Sequence, residues 1–97
     1  MKSITIIGRR WFDSFGNTYH SVIAYIDGEE VVDVRYKYGY SNQYLYTAQW
    51  EMDKLDLLPG LKHFKRSGGT ESLWGYCDRN KIKLIDSVTD VSRKKDL

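Results

Sequence analysis

The chain is 97 residues long with a 41% apolar and 14% aromatic share, which suits one folded domain and excludes two independent cores or extensive disorder. Fifteen Lys and Arg against thirteen Asp and Glu leave a net charge of +2, so a strongly basic nucleic-acid coat is excluded and any anion site must be local. A lone cysteine, Cys77, excludes an internal disulfide, and one thiol with two histidines makes no convincing zinc set.

Residues 3 to 12 read as a first strand, with β-branched Ile4, Ile6 and Ile7 running through Gly8, a bulge position, into Arg9-Arg10-Trp11-Phe12. Asp13 to Asn17 has the composition of a reversal. Thr18 to Ile26 and Glu29 to Tyr38 then flank Asp27-Gly28, the dipeptide of a type I′ hairpin. A strict two-residue loop pairs Ile23 with Val32, Ser21 with Val34 and Tyr19 with Tyr36 on one face, with His20 opposite Arg35 and Val22 opposite Asp33 on the other. The first face is the more apolar and is expected to meet the helices.

Ser41 is placed to cap a helix over 42 to 57, whose Leu45, Ala48, Met52 and Leu55 recur at helical spacing and predict a core stripe. Pro59-Gly60 stops that helix, and a basic loop follows from Lys62 to Gly69. Thr70, Leu73, Trp74 and Cys77 suggest a second, short helix closing at Asn80. Lys81 to Val88 reads as the last strand, with Ile85 pointing away from Ile82, Leu84 and Val88, and residues 90 to 97 read as a solvated tail. There is no internal repeat, linker or low-complexity tract. The order β-β-β-α-α-β predicts a single α+β domain: an antiparallel sheet of about four strands with helices packed on one face. No apolar run nears the roughly 18 residues of a membrane span, and Lys2 to Thr5 lacks a signal-peptide core, so a soluble, cytoplasmic protein is expected.

The chemistry-bearing residues gather between 9 and 20 and between 35 and 43. Arg9, Arg10 and Arg35 are candidates to neutralise phosphate, because a guanidinium fork matches its oxygens. Trp11 and Tyr40 are candidates to stack on a base, and Tyr38 to touch ligand at the same rim. Asn17, His20, Asn42 and Gln43 are candidates to read polar edges. This reading needs the guanidinium groups, indole and imidazole to share one water-exposed pocket. Tyr36 and Tyr44 are assigned to packing.

Catalytic constellations are weak by comparison. His20 and Ser21 are strand neighbours and face opposite sides, Cys77 falls on an apolar stripe away from His63, and Glu29-Glu30 and Asp53-Asp56 lack metal-site spacing. Gly68-Gly69-Thr70 precedes a helix but lacks the lysine of a phosphate loop. No cofactor or metal is expected.

The motifs GRRWF at 8 to 12, GNTYHSV at 16 to 22, YGYSNQYLYTA at 38 to 48 and the ending VTDVSRKKDL resemble a family of small, uncharacterised bacteriophage and prophage proteins. The resemblance covers the first fifty residues and the last ten, weakens between Leu57 and Asn80, and brings no chemistry of its own. It implies a host-cell cytosolic setting in which non-enzymatic, counter-defence roles are common. The expectation is therefore a non-enzymatic binding protein, a homo-oligomer that captures a phosphorylated, nucleotide-like ligand or a short nucleic acid. The alternative is a protein-interaction inhibitor of a host enzyme, and the third reading is a small nuclease or phosphodiesterase using His20.

Overall fold

The computed structural model describes residues 1–39, 41–66 and 68–97. Three strands, β1 (Ser3–Phe12), β2 (Thr18–Ile26) and β3 (Glu29–Tyr38), precede two helices, α1 (Gln43–Lys54) and α2 (Leu73–Arg79). The strand β4 (Lys83–Val91) and a 3-10 turn at Lys94–Asp96 follow. The sheet order is β3-β2-β1-β4. β1, β2 and β3 form an antiparallel meander, but β4 lies parallel to β1, so the sheet is mixed and the purely antiparallel expectation is corrected. The parallel pairing follows from the connection: two helices carry the chain back across one face, as a parallel neighbour requires.

The hairpin turn is the one the dipeptide predicts, since Asp27 (φ 50°) and Gly28 (φ 84°) both adopt positive φ. The Asp27 carboxylate also accepts the N–H groups of Lys2 and Ser3 at 2.7 and 2.8 Å, tying the chain start to the turn. Beyond the first pairs, Ile26 with Glu29 and Tyr25 with Glu30, the strict register fails. An irregularity at Val31 shifts the ladder to Ala24–Val32, Ile23–Asp33 and Val22–Val34, and a second shift brings His20 opposite Lys37 and Tyr19 opposite Tyr38. The face expected to be buried is therefore split between the two sides. Val32 and Val34 join Val22 and Ala24 under the helices, while Tyr19, Ser21, Ile23 and Tyr36 point the other way. Gly8 is no bulge: both ladders run through it, and it is small because a Cβ there would lie 2.6 Å from the buried Tyr44 ring.

α1 starts at Gln43 with Asn42 at its cap position instead of Ser41, which sits at φ 54° just before it. It also stops sooner than its apolar spacing suggests. Asp56 takes a left-handed conformation (φ 56°), Leu57 N–H reaches back to Met52 O (3.0 Å) and Asp56 N–H to Asp53 O (3.0 Å), a Schellman closure that leaves Leu55 exposed. α2 opens on Ser72, whose hydroxyl accepts Gly75 N–H at 3.0 Å, and closes in the same way, with Lys81 at φ 56° and Ile82 N–H on Cys77 O (2.8 Å). That closure consumes residues 80 to 82, so β4 begins at Lys83 and runs on to Val91, three residues past the expected end.

All the fully apolar burial lies on one side. Ile4, Ile6, Val22, Ala24 and Val32 from the sheet meet Tyr44, Leu45, Ala48 and Met52 of α1 and Leu73, Tyr76 and Cys77 of α2, with Leu58, Leu61 and Ile82 closing the rim. Burial pushes the Cys77 thiol up to about 11, which keeps it a protonated core group.

Candidate nucleic-acid interface

The uncovered face of the sheet is built in rows by the strand registers. Counting back from the Asp13–Asn17 turn, Phe12 opposes Thr18 and Trp11 opposes Tyr19, and Tyr19 opposes Tyr38. Tyr19 stands between Trp11 (ring centroids 5.8 Å apart) and Tyr36 (4.9 Å, planes 12° apart), and the Tyr38 ring meets it edge-on at 5.5 Å. One aromatic row thus crosses three strands. Desolvation among these rings, with Tyr36 and Asp13 nearby, holds the Tyr19 hydroxyl above its ordinary value. The row beneath places Arg9 on β1 and Ser21 opposite it on β2, with Arg35 bordering the same cleft. Arg35 is tethered to Asp33 at 3.1 Å but has most of its side chain in water.

The turn that starts the aromatic row is closed by its own side chains. The Asp13 carboxylate accepts N–H from Phe15 (2.9 Å) and Asn17 (2.8 Å) and the Asn17 side-chain amide at 3.3 Å. Desolvation would raise the Asp13 carboxyl, but these donors outweigh it and hold the group below its ordinary value. Phe15 at the tip is 87% exposed.

The last residues do not hang in solvent as a tail. After β4 they turn back over the open face, where Arg9 Nη1 donates to Asp96 O at 3.4 Å and Lys94 Nζ caps the Tyr36 ring at 4.7 Å. Leu97 closes a cleft lined by Ile7, Arg9, Ser21, Ile23 and Arg35. Ser21, on the same cleft and with neither α1 nor α2 above it, is buried.

Of the residues singled out from sequence, the fold brings Arg9, Trp11, Arg35 and Tyr38 to this face. It sends the others elsewhere, so the single shared pocket is corrected. Arg10 lies on the helix side, donating to Asp90 at 2.8 Å and to Ser41 O at 3.2 Å. Beside it the Tyr44 hydroxyl donates to Asp86 at 2.8 Å, and burial with that carboxylate pushes Tyr44 up to about 12. His20 is 1% exposed beneath α1, with Nδ1 3.2 Å from Gly39 O and Nε2 2.8 Å from Thr47 Oγ1. Burial drives its pKa down, the Gly39 carbonyl partly opposes that and Lys37 adds to it, so the ring is a neutral joint between β2, the β3 end and α1. Asn17 is spent on the Asp13 turn. Asn42 and Gln43 line separate clefts on the helix side, and Tyr40 lies outside the described residues.

Tyr19, Lys94 and Lys95 belong to the open face and were not singled out from sequence, and Tyr36, assigned to packing, stands there 46% exposed because the second register shift turns it away from the helices. The signal for Tyr19 was available: antiparallel counting from the Asp13–Asn17 turn puts it beside Trp11. On the opposite side of the molecule a groove of about 340 Å³ runs between α1 and Leu61, Gly68, Gly69 and Thr70, walled by Tyr46 and by Trp50, over which the Lys37 and Lys54 ammoniums sit at 5.6 and 5.2 Å. Among the described residues no group of three His, Cys, Asp or Glu is placed to hold a metal, and no helix is long and apolar enough to cross a membrane. No family model, curated protein or solved structure matches the chain.

Proposed function

We propose that the protein is a non-enzymatic binding module whose open sheet face takes a short single-stranded nucleic acid or a phosphorylated, nucleotide-like ligand. The observation that carries the reading is the aromatic row Trp11–Tyr19–Tyr36–Tyr38 set beside Arg9 and Arg35 on a face that neither α1 nor α2 covers. Rings offer sequence-tolerant stacking for bases, and guanidinium groups one row away meet the phosphates; together these are the two elements of single-strand recognition. The neutral, enclosed His20 supports leaving catalysis out, since a general base must reach the proton it takes. The resemblance to phage proteins supports a counter-defence role in the host cytosol. A homo-oligomeric assembly is part of this reading, since β3 and β4 are the outer strands of the sheet among the described residues and a second copy could pair with either edge.

Fluorescence anisotropy with end-labelled heptathymidylate, run beside calorimetric titration of cyclic and linear mononucleotides, tests the reading and separates its two ligand forms. Trp11→Ala is expected to weaken binding about tenfold, the size of one lost base stack. Absence of binding across both sets of probes overturns the reading.

A second reading, a protein-binding inhibitor of a host enzyme, is favoured by exposed Tyr46, Trp50, Trp74 and Phe64 on the helix side. Capture of one stoichiometric host enzyme, lost on Trp50→Ala and kept on Trp11→Ala, would establish it in place of the first.

A further inference from the structure

Residues 92 to 97 occupy the face that the proposed ligand needs. They leave the edge strand β4 and extend as far as Tyr36 and Arg35 of the opposite edge strand. Three features hold them there: the Arg9 Nη1 to Asp96 O hydrogen bond at 3.4 Å, the Lys94 ammonium 4.7 Å from the Tyr36 centroid, and the seat of Leu97, half-buried on the wall of a cleft that Ile7 and Ile23 also line. Each stands where a ligand group would go. Tyr19 already stacks on Tyr36, so the ammonium cap takes ring surface that a base would need, and the Asp96 carbonyl engages a guanidinium that a phosphate would claim.

The segment is also held against its own charge. Lys94 and Lys95 border a cleft with Arg35, and Lys95 another with Arg9, while Asp96 directs its carboxylate to Arg93 at 3.2 Å rather than to the sheet. Among the described residues no ion pair joins the segment to the face it covers. Such a cover is poised to leave when a polyanion offers better partners, and once released its cations become available for phosphates.

We infer that residues 92 to 97 form a displaceable strap that competes with ligand for the aromatic row and then adds its cations to the bound strand. The inference rests on the open-face reading above. Its consequence is a conformational penalty on binding: the apparent dissociation constant is the intrinsic one divided by the fraction of molecules with the strap lifted.

Leu97→Ser tests this, because it weakens the seat without changing charge. Binding of end-labelled heptathymidylate to the full chain is measured by anisotropy, and the Leu97 methyl resonances are followed by NMR during titration. The expected result is about three- to tenfold tighter binding by L97S, which corresponds to a strap lifted in roughly 10 to 30% of wild-type molecules. The wild-type Leu97 methyl signals should move toward their disordered positions as ligand saturates. Lys94→Gln, which uncaps Tyr36 but removes a phosphate partner, is expected to show a shallower salt dependence than wild type. If wild type binds and L97S binds no tighter, or if the Leu97 signals stay fixed at saturation, the strap is overturned while the open-face reading stands. If neither chain binds, both fall.

Discussion

The two faces of this sheet come from the same strands, one residue out of step. Along β1, Ile4, Ile6, Gly8 and Arg10 go under the helices while Thr5, Ile7, Arg9 and Trp11 face away; along β2, His20, Val22 and Ala24 go under while Tyr19, Ser21 and Ile23 face away. The covered face solves a packing problem. Its polar members, His20 and Arg10, are each tied to the backbone of neighbouring segments, and no buried side-chain nitrogen or oxygen among the described residues lacks a partner. The open face keeps large rings and guanidinium groups half wet and covers part of them with six residues of its own chain. A residue type therefore says little here until its parity is known: of two adjacent arginines, Arg10 is structural and Arg9 is available.

Substitutions that respect one face and damage the other sharpen this contrast. Met52→Ala, which empties a fully buried site under the sheet, is expected to cost about 2 to 5 kcal/mol in denaturant unfolding and to leave ligand affinity of the folded fraction unchanged. Gly8→Ala drives a Cβ into Tyr44 and should lower stability by about 1 to 3 kcal/mol by overpacking, read as a lower Tm.

His20 supplies a pH test of the covered face. Its folded pKa is depressed below the ordinary value of 6.5, so the unfolded chain takes up the proton first as pH falls. Its contribution is complete above that value and is lost progressively as pH drops from there toward the folded pKa. Thermal unfolding should show Tm falling between pH 7 and 5, with a flatter profile for His20→Gln. An unchanged slope would mean that the ring titrates freely and the joint is not closed.

On the open face the effects run the other way. Tyr38→Ala, at a side chain 62% exposed, should alter stability by no more than about 0.5 kcal/mol and weaken oligonucleotide binding several-fold. Arg35→Ala is the mildest: it should reduce the salt dependence of single-strand binding by about 0.7 in log–log slope, with little change in Tm. A loss of stability in either variant larger than its loss of affinity would erase the distinction between the faces.

Much of the architecture was legible in the sequence. Asp27-Gly28 announces its turn because both residues tolerate positive φ, and Leu45, Ala48 and Met52 announce the face of α1 by spacing alone. The register was not legible, since nothing local distinguishes Val31 as the residue that drops out of the ladder; the gain comes from setting Val32 and Val34 beside Val22 and Ala24 in the core. The end of α1 was hidden because its left-handed closing residue is Asp56 rather than glycine, whereas the close of α2 at Asn80 was legible. β4 was misjudged in direction because alternation reads the same whichever way a strand runs. For the candidate interface, Arg9, Trp11, Arg35 and Tyr38 could be named from chemistry, but grouping them with His20 conflicted with the two-residue period of β2. The role of residues 92 to 97 is purely tertiary, and their composition is that of any solvated tail.

The parallel ladder between β1 and β4 joins residues about eighty positions apart, Ser3 with Lys83 through Trp11 with Val91. Closing so long a loop is entropically slow, whereas the β1–β2–β3 meander needs only short-range contacts. During refolding the rings of Trp11, Tyr19 and Tyr36 can therefore assemble before residues 92 to 97 arrive, and pulse-labelling hydrogen exchange should protect β1–β2 amides ahead of those of β4. A nascent chain would on this order display its stickiest surface bare for a time, and its safety from self-association would depend on how promptly the last strand zips home.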